Sequence, residues 1–131
     1  GAGFGIVGDA GGKIPMMDYL RQMKNTLGLE VVRHSEITRP AVTRVALCTG
    51  AGGSMARDAK RAGAELYISS DFRYNDFLDA DRELVIADIG HFESEYCAID
   101  LIFDIIRKKL PTFALRKSVN STNPVKYLTD K

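Results

Sequence analysis

Apolar residues in this chain recur in two rhythms. Short unbroken runs suit strands buried on both faces, and three- and four-residue steps suit helices. Ile14-Pro15 opens a helical stretch through Leu20, Met23 and Leu27, and Gly28 follows as its stop. Leu29 to Val32 is a short run of β-forming character, and Arg44 to Cys48 is a second strand. Gly50 to Ser54 turns that strand into a helix ending near Gly63. Leu66 to Ser69 is a third strand. A short helix from about Tyr74 to Asp81 leads to the fourth, Leu84 to Ala87. A long helical pattern then runs from about His91 to Lys109, where Leu110-Pro111 ends it.

On that last helix Phe92, Tyr96, Ile99, Phe103, Ile106 and Leu110 form one stripe, read as the face packed on the sheet. Strands joined by helices predict a single three-layer α/β domain over residues 1–131. Its sheet is expected to be mixed but mostly parallel, with right-handed crossovers. In such sheets ligands bind beyond the carboxyl ends of the strands, which is where Gly50 to Ser54, Asp71 and His91 fall.

Composition narrows the functional classes. With 131 residues, 45% apolar content and a net charge of +1, the chain can bury a core, and no global charge directs it to nucleic acid or membrane. No run approaches the eighteen or so apolar residues of a membrane span, and nothing at its start reads as a signal peptide. The opening Gly1-Ala2-Gly3-Phe4-Gly5 is expected of a processed product or a piece of a longer protein. Cys48 lies in a strand-like run and Cys97 on a helical pattern, an arrangement expected of reduced thiols in the cytoplasm.

The candidate chemistry centres on Asp88-Ile89-Gly90-His91-Phe92-Glu93-Ser94-Glu95. His91 and Glu95 are four residues apart at a helix start, so imidazole and carboxylate share one face and can grip a transition-metal ion. The competing reading is a capped helix start, with Glu93 and Glu95 facing the positive end of the macrodipole. That end also keeps the imidazole of His91 neutral and able to coordinate. Residues 69–104 hold ten Asp or Glu against Arg73 and Arg82, a surface that attracts cations.

Other candidates surround this pair. The loop of Gly50, Gly52, Gly53 and Ser54 follows a strand and opens a helix. It is read either as a phosphate-cradling turn or as a tight connection; it carries no Walker ending. Asp71 and Tyr74 are candidates for supporting a metal ligand or touching substrate, with helix N-capping the favoured reading of Asp71. Seven basic residues follow from Arg107 onward with one acid, Asp130. A nucleic-acid reading would need an aromatic or groove-entering element among them, and basic side chains in a last helical turn are better explained by the macrodipole.

An ordered set of segments resembles the C-terminal half of the Nif-three-like dinuclear metal-centre family, many of whose members bear the name GTP cyclohydrolase I type 2. The set begins with Gly3-Phe4-Gly5-Ile6-Val7-Gly8, Val32-Arg33 and Arg44 to Gly50 with its Gly/Ser loop. It continues through Gly63 to Asp71, Tyr74-Asn75-Asp76, Ala87 to Glu95, and Thr122-Asn123-Pro124-Val125. Two departures stand out. Ser69-Ser70-Asp71 replaces a frequent Thr-Gly-Asp, and Tyr74-Asn75-Asp76 replaces a frequent Tyr-His-Asp. The second exchanges an imidazole for an amide, which cannot shuttle a proton near neutral pH.

The resemblance implies one of two similar halves of the family fold. His91 and Glu95 would be ligands of a centre of two divalent ions (Zn, Mn or Fe). The remaining ligands, a His pair and an Asp, would come from an N-terminal half absent from this sequence. His34 matches no family ligand and is read as a strand-end residue. The implied activity is metal-dependent hydrolysis of a nucleotide or phosphoester. The alternative is a non-catalytic metal-binding scaffold or regulatory interaction protein. Either would form a homo-oligomer, by resemblance a hexameric ring.

Overall fold

The structure, a computed structural model, describes residues 5–80, 82–90, 125, 126, 128 and 129. The predicted helix from His91 to Lys109, and with it Cys97, lies outside the described residues.

The elements run β1 (Gly5–Pro15), α1 (Met16–Leu27), β2 (Arg33–His34), β3 (Ala41–Cys48), a 3₁₀ turn (Gly52–Met55), α2 (Ala56–Arg61), β4 (Leu66–Ser69), α3 (Tyr74–Leu78) and β5 (Val85–Asp88). The sheet has the order β1-β3-β4-β5-β2. The β3–β4 and β4–β5 pairs are parallel, whereas β1 and β2 close the two edges antiparallel. The sheet is therefore mixed as expected, with the parallel pairs confined to its centre.

Alternation along the central strands builds two cores. Val45, Leu47, Leu66, Ile68, Val85 and Ala87 face α1, which contributes Met16, Tyr19, Leu20, Met23 and Leu27. Ala46, Cys48, Tyr67 and Ile86 point the other way, toward Ala59 of α2, Phe77 of α3, and Phe72 in the loop between β4 and α3. Both faces being covered, β4 and β5 are buried at every position, as central parallel strands require. This makes the domain a three-layer α/β fold. No helix among the described residues is long and apolar enough to cross a membrane.

Three boundaries differ from the sequence expectation. Gly5 to Pro15 forms an eleven-residue strand, although its glycines suggest a loop. Its pairing with β3 stabilises it, and the register shifts between Asp9 and Ile14, where Gly11 and Gly12 take positive φ. Pro15 ends that strand rather than opening the helix, on an edge strand where proline is tolerated. Leu29 to Val32 is not a strand. Gly28 ends α1 in the left-handed conformation, and the Leu29 N–H donates back to the Lys24 carbonyl, so Leu29 serves the helix end. The strand begins only at Arg33, and His34 closes it.

Candidate functional site

The three parallel strands end level with one another. Leu47 pairs with Ile68, and Ser69 with Asp88, so the chain leaves β3, β4 and β5 at one edge of the sheet. Two knots of buried polar groups fix the loops there.

The first knot holds Gly52. Its N–H donates to Ser69 Oγ at 3.2 Å, and its carbonyl accepts from the Tyr67 hydroxyl at 2.8 Å. Ser69, fully buried, donates in turn to the Cys48 carbonyl. Burial pushes the Tyr67 phenol well above its ordinary range, which keeps it protonated and a donor. Burial likewise raises the Cys48 thiol, against a smaller opposing effect of a hydrogen bond with Tyr67, so Cys48 is an inert core residue.

The second knot holds Asp88, buried at the end of β5. Its Oδ2 accepts from Arg33 Nη2 at 2.6 Å and from the Phe72 N–H at 3.0 Å. Its Oδ1 accepts from the Gly90 N–H at 2.8 Å. The same Arg33 nitrogen donates to the Phe72 carbonyl at 3.2 Å, and the guanidinium carbon lies 4.9 Å from the centre of the Phe77 ring. One carboxylate thus joins the edge strand β2, the loop after β4 and the exit from β5. A cleft of about 500 Å³ opens here, lined by Arg33, Asp71, Asp88 and Gly90 and, from the far end of the chain, Lys126 and Leu128.

The predicted site residues distribute as follows. His91 and Glu95 lie outside the described residues; the last described position before them is Gly90, at the cleft. Asp71 is exposed, with φ +63, and lines the same cleft. It is not the N-cap of α3. That position belongs to Arg73, whose N–H donates to Asp76 at 2.7 Å. Tyr74 stands on α3, 77% exposed, and lines no part of that cleft. Asn75, Asp76 and Gly53 line a separate cleft of about 390 Å³ between α2 and α3.

The loop of Gly50, Gly52, Gly53 and Ser54 has the features of a tight turn. The Gly52 N–H is bonded to Ser69 and the Ser54 N–H to the Ala51 carbonyl. The Asp76 carboxylate lies against Gly53. Among the described residues no group of three His, Cys, Asp or Glu forms a metal cluster.

Sequence reasoning missed Arg33, Asp88, Ser69 and Tyr67 as site-building groups. A signal existed for one of them: Asp88 is an acidic residue in a run of buried strand positions, which calls for a partner.

The Duf34/NIF3 (NGG1p interacting factor 3) family model matches residues 1–124. This chain belongs to that family. Among NIF3 relatives, the "GTP cyclohydrolase 1 type 2 homolog" of Campylobacter jejuni is 34% identical over 107 residues, covering 80% of this chain and 42% of the relative. The protein of the same name from Clostridium perfringens is 28% identical, covering 83% and 42%. The NIF3 fold recurs in solved structures. Staphylococcus aureus protein SA1388 superposes with a TM-score of 0.71 at 20% identity, covering 95% of this chain and 42% of that one. A Bacillus cereus protein related to NIF3 gives 0.71 at 22% identity, covering 96% and 36%. The chain thus spans about two fifths of the length of the NIF3 relatives it matches.

Proposed function

We propose that this NIF3 chain supplies His91 and Glu95 to a centre of two divalent metal ions, the remaining ligands coming from the part of the family fold that its longer relatives carry. The centre would serve a metal-dependent hydrolase acting on a nucleotide or phosphoester, in a cytoplasmic ring-shaped homo-oligomer.

One observation carries the reading. The chain enters His91 from Gly90, which the buried Asp88 fixes in a cleft at the carboxyl edge of the parallel strands. Open α/β sheets bind ligands at such edges. An imidazole nitrogen and a carboxylate oxygen form a donor set suited to Zn, Mn or Fe. When bound, such ions polarise a substrate oxygen and lower the pKa of a bound water. The chain's own contribution would be to hold the two ligands at the cleft and to offer a cationic approach. Arg33 keeps 56% of its side chain exposed while bonded to Asp88, and Lys126 lines the same cleft. Both suit an anionic substrate group. The name of the Campylobacter jejuni and Clostridium perfringens relatives supports a nucleotide.

The test is metal content by elemental mass spectrometry on the complete protein, wild type against His91→Ala and Glu95→Ala. Loss of about half or more of the metal in both variants is expected, since each removes a ligand. Unchanged metal in both would make the segment a capped helix start. Hydrolysis of GTP and of p-nitrophenyl phosphate by the metal-loaded protein then separates a hydrolase from a scaffold.

A further inference from the structure

We infer that the cleft between α2 and α3 binds a small zwitterion, an α-amino acid with an apolar side chain, taking its carboxylate on Arg57 and its ammonium group on Asp79. This cleft shares no lining residue with the one at Gly90 and needs no metal. What carries the assignment is a pair of unengaged charges of opposite sign beside an apolar back.

The cleft follows from how thinly this face of the sheet is covered. α2 has six residues and α3 five. Ala56 opens α2 and Ala80 follows α3, and both line the space between the helices. Such small side chains leave a gap of about 390 Å³, in the range of small-molecule sites. Behind it stand Phe72, Leu84 and Ile86, members of the apolar core on that face. Phe72 is held edge-on by Tyr67 and Phe77, with ring centroids 5.5 and 5.7 Å away, so the back of the cleft is pre-formed.

The two walls differ in charge. α2 brings Arg57 and Lys60, whose spacing puts them on one helix face. Asp76 on α3 and Asp79 at its end bring carboxylates to the other wall. Two of these four groups are already engaged. Lys60 lies 3.7 Å from Glu83, and Asp76 accepts from the Arg73 N–H at 2.7 Å. Among the described residues Arg57 and Asp79 form no ion pair, with each other or with a third group.

A simple anion here would meet Asp76 and Asp79 as well as Arg57, and a simple cation would meet Arg57 and Lys60. A ligand carrying both charges answers both walls. A guanidinium takes a carboxylate through two parallel bonds, and a carboxylate accepts well from an ammonium group. The apolar back then favours an aliphatic or aromatic side chain. Asn75, which also lines the cleft, offers both a donor and an acceptor.

The experiment is calorimetric titration of the complete protein with L-leucine and L-phenylalanine. Leucinamide, which lacks the carboxylate, and 4-methylpentanoate, which lacks the amine, are titrated alongside. Saturable binding of at least one amino acid is expected, with a dissociation constant of about 1 mM or below. Leucinamide and 4-methylpentanoate should each bind about tenfold more weakly or worse, as should leucine to Arg57→Gln and to Asp79→Asn, because each change removes a charged hydrogen bond. Amide shifts of Ala56 and Ala80 on titration place the ligand in the cleft.

Both substituted side chains are exposed, so wild-type thermal midpoints are expected of the variants; should one fail to fold, the other decides. No saturable binding of either amino acid at about 10 mM, ten times that dissociation constant, overturns the inference and makes the walls two solvated helix faces. Binding of 4-methylpentanoate or leucinamide as tight as that of leucine overturns the need for both charges. Unchanged affinity in the folded variants moves the ligand elsewhere and overturns the inference as well.

Discussion

The carbonyl oxygen of Asp71 occupies the space a side chain on Gly52 would need: a Cβ built there lies 2.7 Å from it. Gly52 also has φ +54, in the left-handed region. The obstacle is backbone, which a rotamer change cannot move aside. Gly52→Ala should therefore displace the loop after β4 and destabilise the protein by about 3 kcal/mol, combining left-handed strain with overpacking. Urea denaturation checks this. At the neighbouring Gly53 the obstacle is the Asp76 carboxylate, the end of a side chain that can rotate. Gly53→Ala should cost less, chiefly the loss of the bond from the Arg73 N–H that starts α3.

Tyr67→Phe tests the other side of the same peptide. The ring would keep its edge-on contact with Phe72, with centroids 5.5 Å apart. The Gly52 carbonyl would lose its buried donor. An unpaired buried acceptor costs about 1–3 kcal/mol, so a loss in that range is expected in chemical denaturation, with the m-value unchanged.

The central sheet was readable from sequence because its strands carry short apolar runs bounded by turn residues. Leu66 to Ser69 was placed to the residue, and Leu84 to Ala87 is displaced by one from β5. What escaped depends on distant partners. Gly5 to Pro15 becomes a strand only because Ala41–Cys48 lies beside it, and four glycines conceal that locally. Asp71 looks like a helix cap by composition, yet Asp76 does that work from inside the helix. In the Gly50 to Ser54 loop, the bonds that tie the Gly52 N–H to Ser69 and the Ser54 N–H to Ala51 are likewise invisible to a local pattern. The ion pair of Arg33 and Asp88 joins residues 55 apart in sequence, and no local pattern announces it.

Glu65 gives the fold a dependence on acid pH. Burial acts to raise its carboxyl pKa, but bonds from the Thr43 N–H and hydroxyl, the Arg44 N–H and Arg39 outweigh that and bring it below the ordinary value. A group whose pKa is lowered by folding binds more protons in the unfolded state. Its stabilisation is complete above the unfolded value of about 4.3 and is lost as pH falls through the folded one. The thermal midpoint of wild type should exceed that of Glu65→Gln near neutral pH, and the gap should narrow as pH is lowered from about 5 to about 3. A gap constant over that window would remove the carboxylate's charge from the account.

Ser69 shows which part of a departure from the family pattern matters. Its hydroxyl accepts from the Gly52 N–H and donates to the Cys48 carbonyl, both in the buried interior. Alanine would leave a donor and an acceptor unpaired at once. Ser69→Ala should therefore cost about 3 kcal/mol and loosen the loop after β3. Threonine, the residue suggested by the family resemblance at this position, retains the hydroxyl and adds one methyl to a fully buried site. Ser69→Thr should lose less than about 1.5 kcal/mol, because the added methyl meets packed neighbours while both hydrogen bonds survive. Urea denaturation of the two variants, with amide exchange at Gly52, decides between the roles. Equal losses would mean that the volume at this position matters more than the hydroxyl. A large loss for alanine alone, accompanied by faster exchange at Gly52, would show that the hydroxyl holds the loop in place.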